Sequence, residues 1–389
     1  MPPPGSGVLA PYDAPMDAGS VVPPPHVARP FRLLPFRALT LSPSRIGDLS
    51  SVRAFTRPYR NVAERLERWE RQGRVTRDPD PAVYVHEYTV GGLTVRGLVG
   101  ALDISRRAHS RLDAAVFPHE GIHPGQADEL ADRMIEMQIN PAPILLVHPG
   151  SPAVRRLLDH AQTRPTHLEF TDRGRQRHRV WALREPAELE LLGRELRPAR
   201  ALIADGHHRY AAYLRMQQRQ PDGGTDRGLA MLVDQDDTPL FLGAIHRILG
   251  GTTLEDLRDA AARVGVGSAG LDPAHGVDAL APDTLVATDG HGWAGLRLTP
   301  DPDRTAVEML HQDLLPALAR RPTSVGHHHA VDDALTAVQQ RPGVAVLMPA
   351  PDFGQVLRIS EADRLLPEKA TSFQPKPNVG VLIRSLRDG

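Results

Sequence analysis

The sequence predicts an α+β fold organised around a mixed β-sheet. Three observations carry this. Strand-like runs come in pairs across glycine-rich or polar turns, as antiparallel hairpins require. Amphipathic helices separate the pairs without strict βαβ alternation. One apolar run, residues 200–204, passes through a single glycine into a helix, a strand–turn–helix unit.

The elements follow in chain order. Residues 1–30 carry nine prolines and little hydrophobic periodicity, which reads as a disordered or extended arm. "YRNVAERLERWERQG" puts Val62, Leu66 and Trp69 on one helical face, with Gly73 as a stop. "AVYVHEYTV" and "LTVRGLVGALDI" flank Gly91-Gly92 as a hairpin. "PGQADELADRMIEMQ" spaces Leu130, Met134 and Met137 as a helix does, and "PILLVH" follows as a buried strand. "HLEFTD" and "RHRVWALR" form a second hairpin, and Pro186 opens a short helix. After the strand–turn–helix, "RGLAMLVDQ" and "PLFLGAIHRIL" read as a strand pair closing a first region. Beyond residue 250, "TTLEDLRDAAARVG" reads as a threonine-capped helix and "TLVATD" with "WAGLRLTP" as a hairpin. "HQDLLPALARR" and "AVDDALTAVQQ" read as helices, the first open to breakage at Pro316, and "GVAVLMPAP" and "NVGVLIRSL" as strands. The expected organisation is an arm (1–30), a core (31–249) and a C-terminal α/β region (250–389).

Composition excludes several function classes. The net charge of −1 gives no general attraction to nucleic acid or anionic membrane. The absence of cysteine removes disulfides, cysteine zinc sites and thiol nucleophiles. No apolar run approaches the ~18 residues of a membrane span. The first residues lack the basic and apolar regions of a signal peptide, so a cytoplasmic location is expected.

The chemistry concentrates in "LIADGHHRYAAYL", residues 202–214. Gly206 permits a tight turn after the strand. The helix that follows turns its first N–H groups and its positive dipole end toward any anion there. Arg209 adds a planar fork suited to phosphate or carboxylate. His207 and His208 can donate hydrogen bonds or move protons near neutral pH. Asp205 can hold a cation or accept a proton from a hydroxyl, or simply cap the helix. Positioning, charge neutralisation and a base together are what phosphoryl transfer needs. Lys369 and Lys376 are the chain's two lysines, in "LPEKATSFQPKP", against a background in which arginine supplies nearly every other positive charge.

"IADGHHRYAAYL" resembles the signature of the bacterial domain of unknown function 1015 family. "PFRAL…GDLSSV", "VFPHEGIHPGQADELADRM", "NPAPILLVH", "RHRVWAL", "AIHRIL" and "LPEKATSFQPKPNVGVLIRSL" extend the resemblance in order over roughly residues 31–389. That family is similar to free serine kinases, with a core resembling the ParB and sulfiredoxin proteins and a C-terminal α/β region packing back on it. The resemblance implies a nucleotide, ATP or ADP with Mg²⁺, and a serine-like small-molecule acceptor; the absence of a nucleic-acid or membrane partner is expected from composition alone. It implies that Gly206 and Arg209 hold phosphate and that Asp205 holds magnesium or substrate. It makes Glu120, His207 or His208 the base. Lys369, Lys376, Arg37 and His119 become further partners of the bound nucleotide. The Pro-Pro-Tyr-Asp segment usual near the family's start is missing, and Gly121-Ile122 stand where Arg-Thr usually follows His-Glu. The alternative is therefore a catalytically degenerate nucleotide-binding regulatory or partner-binding protein. Oligomeric state is not legible.

Two other stretches read as structure. "HHH" at 327–329 is a polar approach to a helix, since structural zinc needs four ligands in paired clusters. The arginines around 65–77 alternate with acids and read as a solvated helix face.

Overall fold

A computed structural model describes residues 21–47, 62–221 and 224–388. It is a mixed α/β protein divided into two compact units. The larger comprises Val21–Leu242, Val356–Glu368 and residues 373–388; the smaller comprises Gly243–Gln355 and Lys369–Ser372. The first part of the proline-rich arm, residues 1–20, and "GDLSSVRAFTRPYRN" from Asp48 onward lie outside the described residues.

The larger unit is built on a nine-stranded mixed sheet. Its strands are β1 (Leu33–Leu34), β4 (Val83–Val90), β5 (Leu93–Asp103), β6 (Val116–Phe117), β8 (Ile144–His148), β9 (Leu168–Thr171), β10 (Arg177–Leu183), β11 (Ala201–Asp205) and β12 (Arg227–Asp234). They run in the order β6-β11-β8-β12-β5-β4-β10-β9, with β1 on β5. The pairs β6–β11 and β8–β12 are parallel; the other pairs are antiparallel. The β4–β5 hairpin turns at Gly91 and Gly92, whose φ values of 57° and 81° fit the two-residue turn that suits twisted strands. A second sheet joins β2 (Ala38–Leu41), β3 (Val75–Arg77), β7 (Ile139–Asn140) and the strand Ile383–Ser385, in the order β3-β2-(383–385)-β7.

Among the described residues five helices lie wholly in this unit, α1 (Val62–Arg71), α2 (Pro124–Met137), α3 (Pro152–Gln162), α4 (Pro186–Leu196) and α5 (His207–Arg219), and most of the helix Phe353–Glu361 belongs to it as well. In α1, Val62 and Leu66 are buried, as the spacing predicts. In α2 the buried stripe is Ala127, Ala131, Met134 and Met137, and Ala127 packs on Ala211 of α5 beneath Ile122. Small residues at this contact let the two helices approach closely.

One sequence expectation changes in this unit. Residues 21–30, the end of the arm read as disordered or extended, run extended along the core. Val22 bridges Ile122, Val27 bridges Arg107 and Ala28 bridges Ala114, and the side chains of Val27 and Ala28 are buried. "RGLAMLVDQ" does not pair with the segment after it. It forms β12, inserted between β5 and β8. Its seven consecutive buried residues, Gly228–Asp234, fit a central strand covered on both faces better than one arm of a hairpin.

The close approach at Gly228 yields a stability prediction. A Cβ there would lie 2.4 Å from Cδ2 of Tyr213, which is buried and donates its hydroxyl to the carbonyl of Ala142 at 3.0 Å. Gly228→Ala is expected to cost about 1–3 kcal/mol through overpacking. The thermal unfolding midpoint should fall by several degrees, and an unchanged midpoint would contradict this packing.

The smaller unit has a six-stranded sheet ordered (267–270)-(293–297)-(284–288)-(343–347)-(246–250)-(324–328), antiparallel throughout. Val286, Ala334 and Leu347 centre its core. The helix Leu254–Arg263 starts from Thr253 with a full capping box to Asp256. Before Pro316 the helical segment widens into a π-turn over Leu310–Leu314. Within the histidine run, His327 and His328 end a strand, His327 paired with Arg247 and His328 with His246, and the following helix begins at Val331.

Candidate anion site at the start of a helix

Strand β11 forms because Ala201-Leu202-Ile203 is apolar and buried on both faces. A bulge against β8 between Ile203 and Asp205 turns the strand end. Gly206 then takes φ 94°, ψ 32°, and α5 begins at His207. This left-handed conformation favours glycine. Gly206, the N-cap of α5, has no side chain with which to cap the helix. Tyr210 anchors the helix from below: its hydroxyl donates to the carbonyl of Pro25 at 2.8 Å and accepts from Val27 N–H at 3.0 Å.

Two cations hold the carboxylate of Asp205. Arg209 Nη2 donates to Oδ2 at 2.5 Å, and Lys376 Nζ donates to Oδ1. All three side chains are partly exposed. The expected convergence of Lys376 on this loop is therefore present.

Lys376 is delivered by a segment seated on β4 and the β9–β10 turn. Tyr88 donates its hydroxyl to the carbonyl of Pro375 at 2.6 Å. Gln176 Nε2 donates to the carbonyl of Lys376 at 2.9 Å, and Gln176 Oε1 accepts from Asn378 N–H at 3.0 Å. Asn378 Nδ2 donates to Asp172 Oδ2 at 2.6 Å. Asp172 also accepts from His178 Nε2, and His178 Nδ1 lies 3.0 Å from His86 Nε2. With Asp172 as acceptor, the neutral His178 ring has its proton on Nε2, and His86 donates to its Nδ1. Burial holds His86 well below its ordinary range, and lowers His178 despite the opposing pull of Asp172. Sequence reading missed this seat. The signal for it was present: Tyr84, His86 and Tyr88 alternate along β4, a polar row at strand period.

The histidines fasten the neighbouring loop. His207 Nε2 accepts from His119 N–H at 3.3 Å, and His208 Nε2 accepts from His123 N–H at 3.1 Å. In both neutral rings the proton accordingly sits on Nδ1. The His119 and His207 rings meet edge to face at 4.6 Å, and those of His123 and His208 stack at 5.9 Å. His119 is fully buried, and burial pushes it down to about 3, against a backbone hydrogen bond at Ile203 that favours protonation. Glu120 lies 3.9 Å from His119 Nε2 and forms a parallel bridge with Leu366, whose N–H donates to the His119 carbonyl at 2.8 Å.

Asp205, Gly206, His207, His208, Arg209, His119, Glu120 and Lys376 thus gather around one loop of the larger unit. Arg37 is exposed just before β2, and no contact joins it to the loop. Lys369 belongs to the smaller unit, where its carbonyl accepts from Arg247 Nη2 at 2.9 Å. As for magnesium, both oxygens of Asp205 carry cations. Among the described residues no group of three or more His, Asp or Glu converges as a metal site. The residues present do not make a resident metal centre.

A family model described as "Protein of unknown function (DUF1015)" matches residues 33–316. No curated protein matches the chain. Among solved structures, a free serine kinase mutant in complex with ADP is 14% identical, with a TM-score of 0.39, over 69% of this chain and 89% of that one. A conserved hypothetical protein from Pyrococcus furiosus is 14% identical, with a TM-score of 0.38, over 70% of this chain and 93% of the other. SbnI from Staphylococcus aureus, with its C-terminus truncated, is 10% identical, with a TM-score of 0.41, over 69% and 84%. Among the described residues no helix is long and apolar enough to cross a membrane.

Proposed function

The chain belongs to the DUF1015 family, and from that membership and the loop at 205–209 we propose that it binds the phosphates of a nucleotide, ATP or ADP, at the start of α5 and transfers a phosphoryl group to the hydroxyl of free serine or a related small metabolite. One observation carries the reading. A helix N-terminus that starts from a left-handed glycine lies beside two partly exposed cations, Arg209 and Lys376, that converge on Asp205. An arriving phosphate competes with Asp205 for both cations and gains the helix dipole as well. In the transfer, the acceptor hydroxyl oxygen attacks the terminal phosphorus and the bond from phosphorus to the leaving phosphate oxygen breaks. The hydroxyl proton passes to a carboxylate, Asp205 once its cations have turned to phosphate, or Glu120. His207 and His208 hold the 119–123 loop in place and so fix Glu120 relative to the helix. No step is routed through a metal.

A second reading, nucleotide binding without turnover, draws support from the same hydrogen bonds. Both histidine Nε2 atoms and both Asp205 oxygens are engaged, so the site offers anion-binding groups more readily than a free base.

Incubating the full chain with ATP or ADP, magnesium and serine, followed by mass spectrometry for phosphoserine, tests the transfer. Phosphoserine formation that falls strongly in Lys376→Ala is the expected result. No product from serine or a panel of hydroxylated metabolites, together with a nucleotide-dependent rise in melting temperature, would select the second reading. No product and no thermal shift would reject both.

A further inference from the structure

Helix α1 separates its charges by face. Arg65, Arg68, Trp69 and Gln72 recur at i, i+3, i+4 and i+7, which places them on one side. The acids are drawn elsewhere: Glu70 pairs with Arg77 at 2.8 Å, and Glu67 pairs with Arg387. The alternation of acids and arginines along the sequence therefore does not produce a neutral surface. Gly73, at φ 66°, turns the chain so that Arg74 returns to the helix, its N–H donating to the Trp69 carbonyl at 2.8 Å. Arg45 comes from the end of β2's loop, its guanidinium 4.7 Å over the Trp69 ring.

The result is an open cavity of about 410 Å³ lined by Arg45, Arg65, Arg68, Trp69, Gln72 and Arg74, with no acid among the described residues of its wall. Arg45, Arg68 and Arg74 make no ion pair among the described residues. The volume is that of a small-molecule site. Arg45, Arg68 and Arg74, three guanidiniums around one space, repel one another, and an anion of several charges removes that repulsion while matching their planar forks. A single carboxylate satisfies one fork only. A chain of phosphates presents many acceptor oxygens in a compact form, and the stacking of Arg45 on Trp69 holds one donor edge ready for it.

We propose that this cavity binds a small polyanion carrying two or more linked phosphate groups, as a site separate from the loop at 205–209. The shared chemistry fits both inorganic polyphosphate and the phosphate chain of a nucleotide, so the test uses both. The full-length protein is titrated with inorganic tripolyphosphate, with ATP and with citrate at moderate salt, by calorimetry and by tryptophan fluorescence, since Trp69 lines the site. Arg68 and Arg74 are exposed and unpaired, so Arg68→Gln/Arg74→Gln should melt as the parent does. Tripolyphosphate is expected to bind and to perturb the fluorescence, and the double substitution to weaken it about tenfold or more. Arg209→Ala should leave this binding unchanged, which separates the cavity from the α5 site. ATP binding that depends on Arg68 and Arg74 in the Arg209→Ala background would identify the nucleotide as the source; tripolyphosphate alone would identify the inorganic chain. Absence of tripolyphosphate binding, or binding unaffected by the double substitution, overturns the proposal. So does equal binding of citrate, or Arg68- and Arg74-dependent binding of single-stranded RNA without tripolyphosphate binding.

Discussion

Arg209→Ala is expected to reduce nucleotide binding at α5 by about tenfold or more while leaving the protein folded. The side chain is partly exposed and its partner Asp205 keeps Lys376, so no buried charge is stranded. Gly206→Ala should act on the same site through the backbone. Alanine at φ 94° is strained by about 1–2 kcal/mol. Its Cβ would also lie 2.9 Å from Nε and Nη2 of Arg209 and 3.2 Å from Ile144 Cγ2. The guanidinium can swing away, so the larger effect should fall on binding rather than on stability. Nucleotide-induced shifts in melting temperature measure both variants. Shifts equal to the parent's in Arg209→Ala would remove the residue from the site.

Acidification should destabilise the protein steeply between about pH 6.5 and pH 4. His119 is pushed down to about 3, and His148 and His246 to about 4, each chiefly by burial. These rings stay neutral in the folded protein across that window, whereas the unfolded chain takes up their protons near pH 6.5. The unfolded state therefore binds more protons there, and stability falls as pH falls. Each ring contributes up to about 1.4 kcal/mol per pH unit, so three together reach several kcal/mol by pH 4.5. Thermal melts from pH 7.5 to 4.5 should show little change above pH 7 and a loss of ten degrees or more by the lower end. A level profile through pH 5 would mean that these histidines are protonated in the folded protein.

The local grammar of the chain was legible, and its long-range pairings were not. The Gly91-Gly92 hairpin, the Val62/Leu66 stripe, the Thr253 cap and the strand ending at Asp205 each follow from rules acting within a few residues. The insertion of β12 between β5 and β8 depends on which neighbours cover a fully apolar strand, and an apolar run does not name them. The strand Ile383–Ser385 pairs with both β2 and β7, partners hundreds of residues away, with three residues of its own to signal it. At the site, glycine, arginine and the helix start were readable because turn chemistry and the dipole are local. The scarcity of lysine pointed to Lys376. Of its seat, the β4 side was signalled by the polar row that includes Tyr88, whereas Gln176 and Asn378 look like ordinary surface polar residues until the segments meet.

The pairing of Asp205 with Lys376 spans 171 positions of sequence. Synthesis runs from the N-terminus, so the ribosome has made β11 and α5 long before the lysine emerges. A nascent chain at that stage holds Asp205 against Arg209 alone, and its four-stranded sheet still lacks the strand that joins β2 to β7. The loop at 205–209 consequently gains its second cation only after the C-terminal segment has been made, across a sequence separation whose closure entropy the rest of the fold has to offset.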